Sequence, residues 1–442
     1  MTIRMDEGAA ELLDTMHRAG YAAYVVGGCV RDSLLGLTPH DWDLCTSALP
    51  QQVMELVGAQ RCIPTGLQHG TVTVKQSGAL YEITTFRTEG TYTDGRHPDE
   101  VHFVPDVRED LARRDLTINA MAYNEKEGLV DPFGGQADLQ SGIVRAVGVP
   151  RQRFTEDALR ILRLYRCAAR FGFAIDPPTA QAAQELCAHL DCVSVERIEE
   201  ELAKLLSAPA PAAYLNEKIL SVVLPELSPE ALAAAKPVVD ACPAGEQALP
   251  VCLAALLLSL GEDGTRRTLR RLRCSNACIE ETAVLVREAV PGVPGAFSSD
   301  TIRAIPSPAL LPAATGSHPS GRSSEKLPAR PPVSLNIYTR KLLGQYGLKT
   351  VQRLAALGTA LQPEHAADFA ALSELAEQLD ADGVCCRVSQ LAVNGRDLMA
   401  AGVPSGPGIR KVLEALLDGV IREEYPNERQ ALLTAVQQLA AS

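Results

Sequence analysis

Ala10, Leu12, Leu13 and Met16 fall at helical spacing, so residues 5–19 predict a helix. YAAYVV (21–26) is a continuous apolar run that stops at Gly27-Gly28, which reads as a buried strand and a turn. HDWDLCT (40–46) alternates polar and apolar residues and predicts another strand. GTVTVKQ (70–76) and LYEITTFR (80–87) are β-rich, and the Ser77-Gly78 break between them suits a hairpin. TEGTYTDGRHPD (88–99) is polar and glycine-bearing, hence a loop. ARRDLTINAMAYN (112–124) returns to a helical period, and LVDPFGGQADL (129–139) combines a strand end with turn chemistry. From about residue 150 onward no strand pattern remains. FTEDALRILRLYRCAARFGF (154–173) predicts one long amphipathic helix, with further helices near 179–190, 195–206, 230–240 and 248–260. Residues 291–333 are rich in Pro, Ser, Gly and Ala, a linker composition. Helical patterns resume over 338–361 and run to the end, broken at 394–408. The predicted class is α+β, a small mixed-sheet head followed by an all-helical remainder.

The 442 residues suffice for roughly three domains of about 150 residues each. With 46% hydrophobic and 22% charged residues, the chain has the composition of a soluble globular protein. Its formal net charge of −12 argues against binding duplexes through an overall basic field, while leaving room for a locally basic cleft. The twelve cysteines have no zinc-finger spacing, and neither a leader-like apolar segment nor an 18-residue apolar span stands out. Reduced thiols, a cytoplasmic location, no structural zinc and no membrane association are the expectations.

Candidate chemistry begins at DWD. On an extended segment Asp41 and Asp43 project from one face and repel each other unless a cation neutralises them. Glu82, on a second strand-like segment, can complete an acidic trio. Hard oxygen donors with no sulfur suit Mg²⁺, which commonly shares its shell with substrate phosphates. Gly27-Gly28 stands between a strand and a short helical stretch carrying Arg31, so Gly28 offers backbone to a phosphate and Arg31 a charge. A lone DxD is also an ordinary surface turn, but strand–Gly–Gly–helix–DxD is more specific. Neither the GxxxxGK[ST] nor the GxGxxG fingerprint occurs.

A second constellation lies in EDALRILRLYR (156–166), where Asp157, Arg160, Arg163 and Arg166 recur every third residue, so neighbours adjoin on a helix. A solvated charged face gives the same pattern. The chemical alternative is base reading. An aspartate accepts from an exocyclic amine while an arginine donates to the adjacent ring nitrogen, an edge that cytosine and adenine share and that uracil and guanine lack. One good bidentate contact is worth about 1–3 kcal/mol of discrimination. GTRRTLRRLR (264–273) pairs Arg266 with Arg270 and Arg267 with Arg271, a basic face for RNA phosphates or simply for solvent.

GGCVRDSLLG…DWDL, YEITTFR, RRDLTINAMA, DPFGG and EDALRILRLYR, in this order, resemble the bacterial class II tRNA nucleotidyltransferase and poly(A) polymerase family of the polymerase β superfamily. The resemblance runs from about residue 8 to 207 and returns at LAVNGRDLMAAGVPSGPGIRKVLEALL. It implies a nucleotidyltransferase head (1–150), a helical neck that reads the base (151–207), a helical body (208–295), a Pro/Ser-rich linker or insertion (296–332) and a helical tail that binds tRNA (333–442). It implies that Asp157 and Arg160 read the base, with Arg163 and Arg166 facing the same nucleotide or its phosphates. Arg114 would contact the triphosphate and Asp115 approach the ribose. SVERIEEEL (194–202), with Ser194 and Arg197, resembles the family's supporting segment. The loop with Asp94, Arg96 and His97 favours a complete CCA adder. The implied activity is template-independent, Mg²⁺-dependent addition of CCA to the tRNA 3′ end from CTP and ATP, with release of pyrophosphate and no DNA partner. A poly(A) polymerase or a CC- or A-only adder shares the head motifs. A non-catalytic RNA-binding helical protein is the alternative of another class.

Overall fold

A computed structural model describes residues 3–64, 66–90, 100–289 and 335–439. The proposed 88–98 loop, with Asp94, Arg96 and His97, and the 296–332 linker fall largely or wholly outside the described residues. The chain divides into two compact units. The first is Met1–Lys236 with Ala244–Glu246 and Thr268–Cys274, and the second is Pro237–Pro243 with Gln247–Arg267 and Ser275–Ser442.

The first unit opens with α1 (Glu7–Arg18), β1 (Ala23–Val26), α2 (Gly28–Leu34), β2 (Leu44–Thr46), α3 (Pro50–Val57), β3 (Cys62–Ile63), β4 (Thr71–Gln76) and β5 (Ala79–Thr85). It continues through β6 (Arg87–Glu89), β7 (Val101–Phe103), α4 (Val107–Ala112), β8 (Ala122–Asn124), β9 (Gly128–Val130) and α5 (Gly135–Ser141). Seven strands form one mixed sheet in the order β3-β4-β5-β2-β1-β8-β9, in which only β2 and β5 run parallel. Tyr24, Val26, Cys45, Phe86, Leu111, Ala120 and Ala122 pack together behind it, with Phe86 fully buried. The hairpin turn falls at Ser77-Gly78, where both residues take positive φ (50° and 85°) as a two-residue turn demands.

Three readings of the head and neck need correction. HDWDLCT is strand only from Leu44. Asp41 and Asp43 precede the ladder, though the Asp43 carbonyl already accepts from Val26 N–H at 2.9 Å. ARRDLTINAMAYN is not a helix. After α4 ends, Arg113–Leu116 turns, Thr117–Asn119 makes a 3₁₀ turn, and Ala122 and Tyr123 pair with Val26 and Val25. Completing the middle of the sheet outweighs the local helical period. The long helix at 154–173 is two, α6 (Pro150–Glu156) and α7 (Leu159–Phe171), following β10 (Ile143–Val144). Asp157 is extended between them (φ −146°, ψ 106°), and its carboxylate accepts from Leu159 N–H at 3.0 Å.

Beyond α7, β11 (Ala174–Ile175) pairs with β10, so one short strand does lie past residue 150. Helices α8 (Pro177–Leu186), α9 (Val195–Leu206), α10 (Glu217–Val223) and α11 (Pro229–Ala241) follow.

The second unit holds α12 (Leu249–Leu257), most of α13 (Gly261–Arg271), α14 (Asn276–Ala289), α15 (Leu335–Tyr346), α16 (Leu348–Leu361), α17 (Ala366–Ala381), α18 (Gly395–Ala400), α19 (Pro407–Ile421) and α20 (Arg429–Leu439). The helical pattern at 338–361 breaks at Gly347, whose φ of 79° admits glycine readily. Among the described residues one stretch is long and apolar enough to cross a membrane, Glu246–Arg271. Its apolar part is a core helix here: every residue from Pro250 to Leu257 is buried, against α14 and α16.

Candidate active site

Gly27 ends β1 with φ 81° and ψ −126°, and a Cβ there would come within 3.0 Å of the Arg114 Nη1 atom. Conformation and close approach both demand glycine, so the Gly-Gly turn is fitted to an arginine 87 positions away in sequence. On the next strand, β2 pairs in register with β5, Leu44 opposite Ile83. One residue earlier on each, Asp43 and Glu82 fall side by side on the face opposite the core.

Asp41, Asp43 and Glu82 are all solvent-exposed. Asp43 is nevertheless crowded by its surroundings. The protein around it pushes its carboxyl above the usual range, Arg114 pulls it back, and Glu82 and Asp41 push it up again. The trio is thus close enough to interact. Among the described residues no three metal-ligating side chains are gathered into a ligand cage.

Arg114, which acts on Asp43, also lines a cavity of about 340 Å³ together with Arg87, Arg113, Asp115, Asp157, Arg160 and Arg163. Five arginines face two aspartates, so the wall favours anions. Asp110, wholly buried, sits behind it and accepts from Arg113 at 2.8 Å and from the Arg87 backbone N–H at 3.2 Å. Arg114 stands 3.4 Å from the same carboxylate. Burial alone would raise the Asp110 carboxyl, but Arg113 and Arg114 overcome this and hold it low. Glu89 pairs with Arg87 at 2.9 Å and with Arg113 at 2.8 Å. The Nε of Arg114 is buried and makes no hydrogen bond among the described residues. A buried donor left open in a cavity wall is what an anionic ligand would satisfy.

Asp115 accepts from Arg163 Nε at 2.7 Å, from Leu116 N–H at 2.8 Å and from Asn119 Nδ2 at 3.3 Å. Burial opposes its charge, yet Arg163, Arg160 and these hydrogen bonds hold its carboxyl far below the usual value. Asp157 is gripped by Arg197 on α9, at 2.7 and 3.4 Å. Arg160 is aimed by Glu156 at 2.6 Å and by the Arg113 carbonyl at 3.1 Å.

Three residues expected at the nucleotide, Arg31, Gly28 and Arg166, lie outside this cavity. Arg31 is buried, pairs with Asp32 at 2.7 Å, donates to Asn119 and lies over the Phe171 ring; it does not line the cavity. Gly28 starts α2 and does not line the cavity either. Arg166 pairs with Glu201 and lines a second cavity together with Asp41. Of the α13 arginines, Arg266 is held by Glu262 and Glu280 and Arg271 by Glu226 at 2.6 Å, while Arg267 and Arg270 are exposed. Arg87 and Asp110 were missed in the sequence. Arg87 closes the YEITTFR strand, and Asp110 precedes Arg113 and Arg114 by three and four residues, a helical ion-pair spacing.

A Gly-Gly turn fitted to an arginine, an acidic pair entering the central sheet and an arginine-walled cavity define the head of a nucleotidyltransferase. Residues 23–145 match the family profile described as Poly A polymerase head domain. Residues 172–230 match "Probable RNA and SrmB- binding site of polymerase A", and 336–436 match tRNA nucleotidyltransferase domain 2. The chain is 34% identical to the CCA-adding enzyme of Lactiplantibacillus plantarum over 444 aligned residues, covering 99% of this chain and 97% of that protein. It is 33% identical to that of Geobacillus thermodenitrificans, covering 96% and 95%. The crystal structure of the Bacillus stearothermophilus CCA-adding enzyme in complex with CTP superposes with a TM-score of 0.78 at 30% identity, over 99% of this chain and 98% of that one. The chain belongs to the CCA-adding enzymes, the tRNA nucleotidyltransferases whose head is shared with poly(A) polymerase.

Proposed function

We propose that this protein adds CCA to the 3′ end of tRNA, using CTP and ATP and releasing pyrophosphate at each addition. The observation that carries the reading is the 340 Å³ cavity, which brings Asp157 and Arg160 of the neck to the same wall as Arg114 and Asp115 of the head. Arg114, with its open Nε, takes the triphosphate. Asp115, locked ionised by Arg163, approaches the ribose. Asp157 accepts the exocyclic amine of C or A, and Arg160 donates to the adjacent ring nitrogen. In each addition the terminal 3′-hydroxyl gives up its proton to solvent, its oxygen bonds to the α-phosphorus, the bond from the α-phosphorus to the bridging oxygen of the β-phosphate breaks, and pyrophosphate leaves.

The exposed oxygens of Asp41 and Asp43, with Glu82 alongside, fit a hard divalent cation, and a cation would relieve the like-charge crowding on Asp43. Asp41 and Asp43 would hold Mg²⁺, which when bound would neutralise charge at the α-phosphate and lower the cost of ionising the 3′-hydroxyl. The neck (151–207) reads the nucleotide, and the tail (333–442) holds tRNA. Purified protein is given a tRNA lacking its 3′-terminal CCA and labelled NTPs singly and in pairs, and the product is sequenced. Ordered C, C, A supports the reading, and a run of A or no labelling overturns it.

A further inference from the structure

Helix α11 ends at Ala241 and Cys242 follows it, while Cys252 lies in α12; both cysteines belong to the second unit. Between them the chain turns through Pro243, Ala244 and Gly245, the glycine with a φ of 104°. The Cys242 thiol lies 4.0 Å from the carbonyl oxygen of Val251, the residue before Cys252. The Cys252 thiol lies 3.6 Å from the carbonyl oxygen of Pro243, the residue after Cys242. Each sulfur thus reaches the backbone beside the other, and the two thiols hydrogen-bond to each other. Both are free, Cys252 buried and Cys242 partly open to solvent.

The hydrogen bond sets the two sulfurs apart chemically. The bond from Cys242 lowers the Cys252 thiol, whereas the same bond and burial push Cys242 up. An oxidant meets Cys242 first, with a more acidic thiol in contact behind it. That is an accessible sulfur beside a resolving one, the arrangement that favours a disulfide over further oxidation.

We propose that Cys242 and Cys252 form a reversible dithiol–disulfide couple, closed by a peroxide and reopened by a dithiol reductant. Loss of one proton to water leaves a thiol–thiolate pair. Cys242 attacks one peroxide oxygen as its own proton passes to Cys252; the O–O bond breaks and hydroxide leaves. Cys252 then attacks the sulfur of the Cys242 sulfenic acid and gives its proton to the departing hydroxyl, which leaves as water. Two thiols and one peroxide become one disulfide and two waters, the sulfurs oxidised and the peroxide oxygens reduced. Closure ties the end of α11 to α12 across the eleven residues 242–252 and restricts the unfolded chain, so the oxidised protein should melt at a higher temperature.

The test needs no activity assay. Full-length reduced protein is exposed to hydrogen peroxide for increasing times, alkylated with N-ethylmaleimide in denaturant, and cut after glutamate. Glu246 separates the two cysteines, leaving them in peptides 231–246 and 247–262 with one cysteine each. The expected product is these two peptides joined, lighter than their sum by two hydrogens, with two of the twelve thiols lost to alkylation. Dithiothreitol should separate them and restore both thiols. Cys242→Ser, a change at the more open position, should abolish both the joined product and the peroxide-induced rise in melting temperature. Both peptides still fully alkylated after the exposed Cys192 has been oxidised would overturn the inference. So would either cysteine joined to a different one, a loss of thiols that dithiothreitol does not reverse, or a melting shift that persists in Cys242→Ser.

Discussion

Asp157→Asn tests base reading most directly, because it changes one acceptor atom and little else. A carboxylate offers about four lone-pair positions. Arg197 occupies two, at 2.7 and 3.4 Å, and Leu159 N–H a third, at 3.0 Å. One remains to face the cavity and accept the amine of cytosine or adenine. Asparagine has one oxygen where aspartate has two. If that oxygen turns to the base, the amide NH₂ meets Arg197 donor to donor. If it stays with Arg197, the NH₂ meets the base's amine and instead suits the O4 carbonyl of uracil. The donor–donor clash disfavours the first arrangement, and in the second CTP loses about 1–3 kcal/mol relative to UTP, a fall of about fivefold to 150-fold in selectivity. The assay is steady-state kcat/KM for CTP and for UTP on a tRNA lacking CCA, with thermal melting as the check on folding. A folded, active variant that excludes UTP as strictly as wild type would refute the assignment of Asp157 to the base edge.

Three further outcomes follow from the same geometry. Asp43→Ala should abolish Mg²⁺-dependent incorporation yet leave tRNA binding and the melting profile near wild type; retained incorporation would remove Asp43 from the chemistry. Asp115 has its carboxyl held below the ordinary value of about 3.9, so its ion pair contributes stability above that range and loses it as pH falls further. The stability difference between wild type and Asp115→Asn should therefore be constant from neutral pH down to about 5 and shrink only below about 4. Urea midpoints across that range check it, and a gap that shrinks near neutrality contradicts the sign. Phe86→Ala empties the middle of the head core and should cost about 3–5 kcal/mol in urea unfolding; a loss below about 1 kcal/mol would mean the core collapses to fill the space.

The strands with β-branched alternation were legible in the sequence because a strand's signal is carried by its own residues. The Thr71–Gln76 and Ala79–Thr85 hairpin fell where its turn residues placed it. RRDLTINAMA was not legible. Its helical period is real, but β1 needs a partner, and residues 122 and 123 supply the pairing that a local pattern cannot express. The break at Asp157 was hidden for a similar reason: the carboxylate that ends the helical run is held by Arg197, 40 residues further on. Arg31 stands conspicuously beside the Gly-Gly turn, yet it is committed to the adjacent Asp32 and to Asn119 and the Phe171 ring, two partners that meet it only after folding. Residue type and spacing nominate charged groups; burial and ion pairing decide which remain available.

The net charge of −12 and an RNA substrate are compatible once charge is considered locally. At physiological ionic strength an exposed charge is largely screened beyond about 8 Å, so distant acids do little to a phosphate already seated. Positive charge is concentrated in the arginine row of α7, Arg160, Arg163, Arg166 and Arg170, whose positions advance around one side of the helix. Each has an acidic partner, respectively Glu156, Asp115, Glu201 and Asp32. Such pairs would be a poor source of stability on their own. They hold the guanidinium groups in place before substrate arrives, so that less side-chain freedom is lost on binding. An acidic surface also weakens long-range attraction to nucleic acid in general.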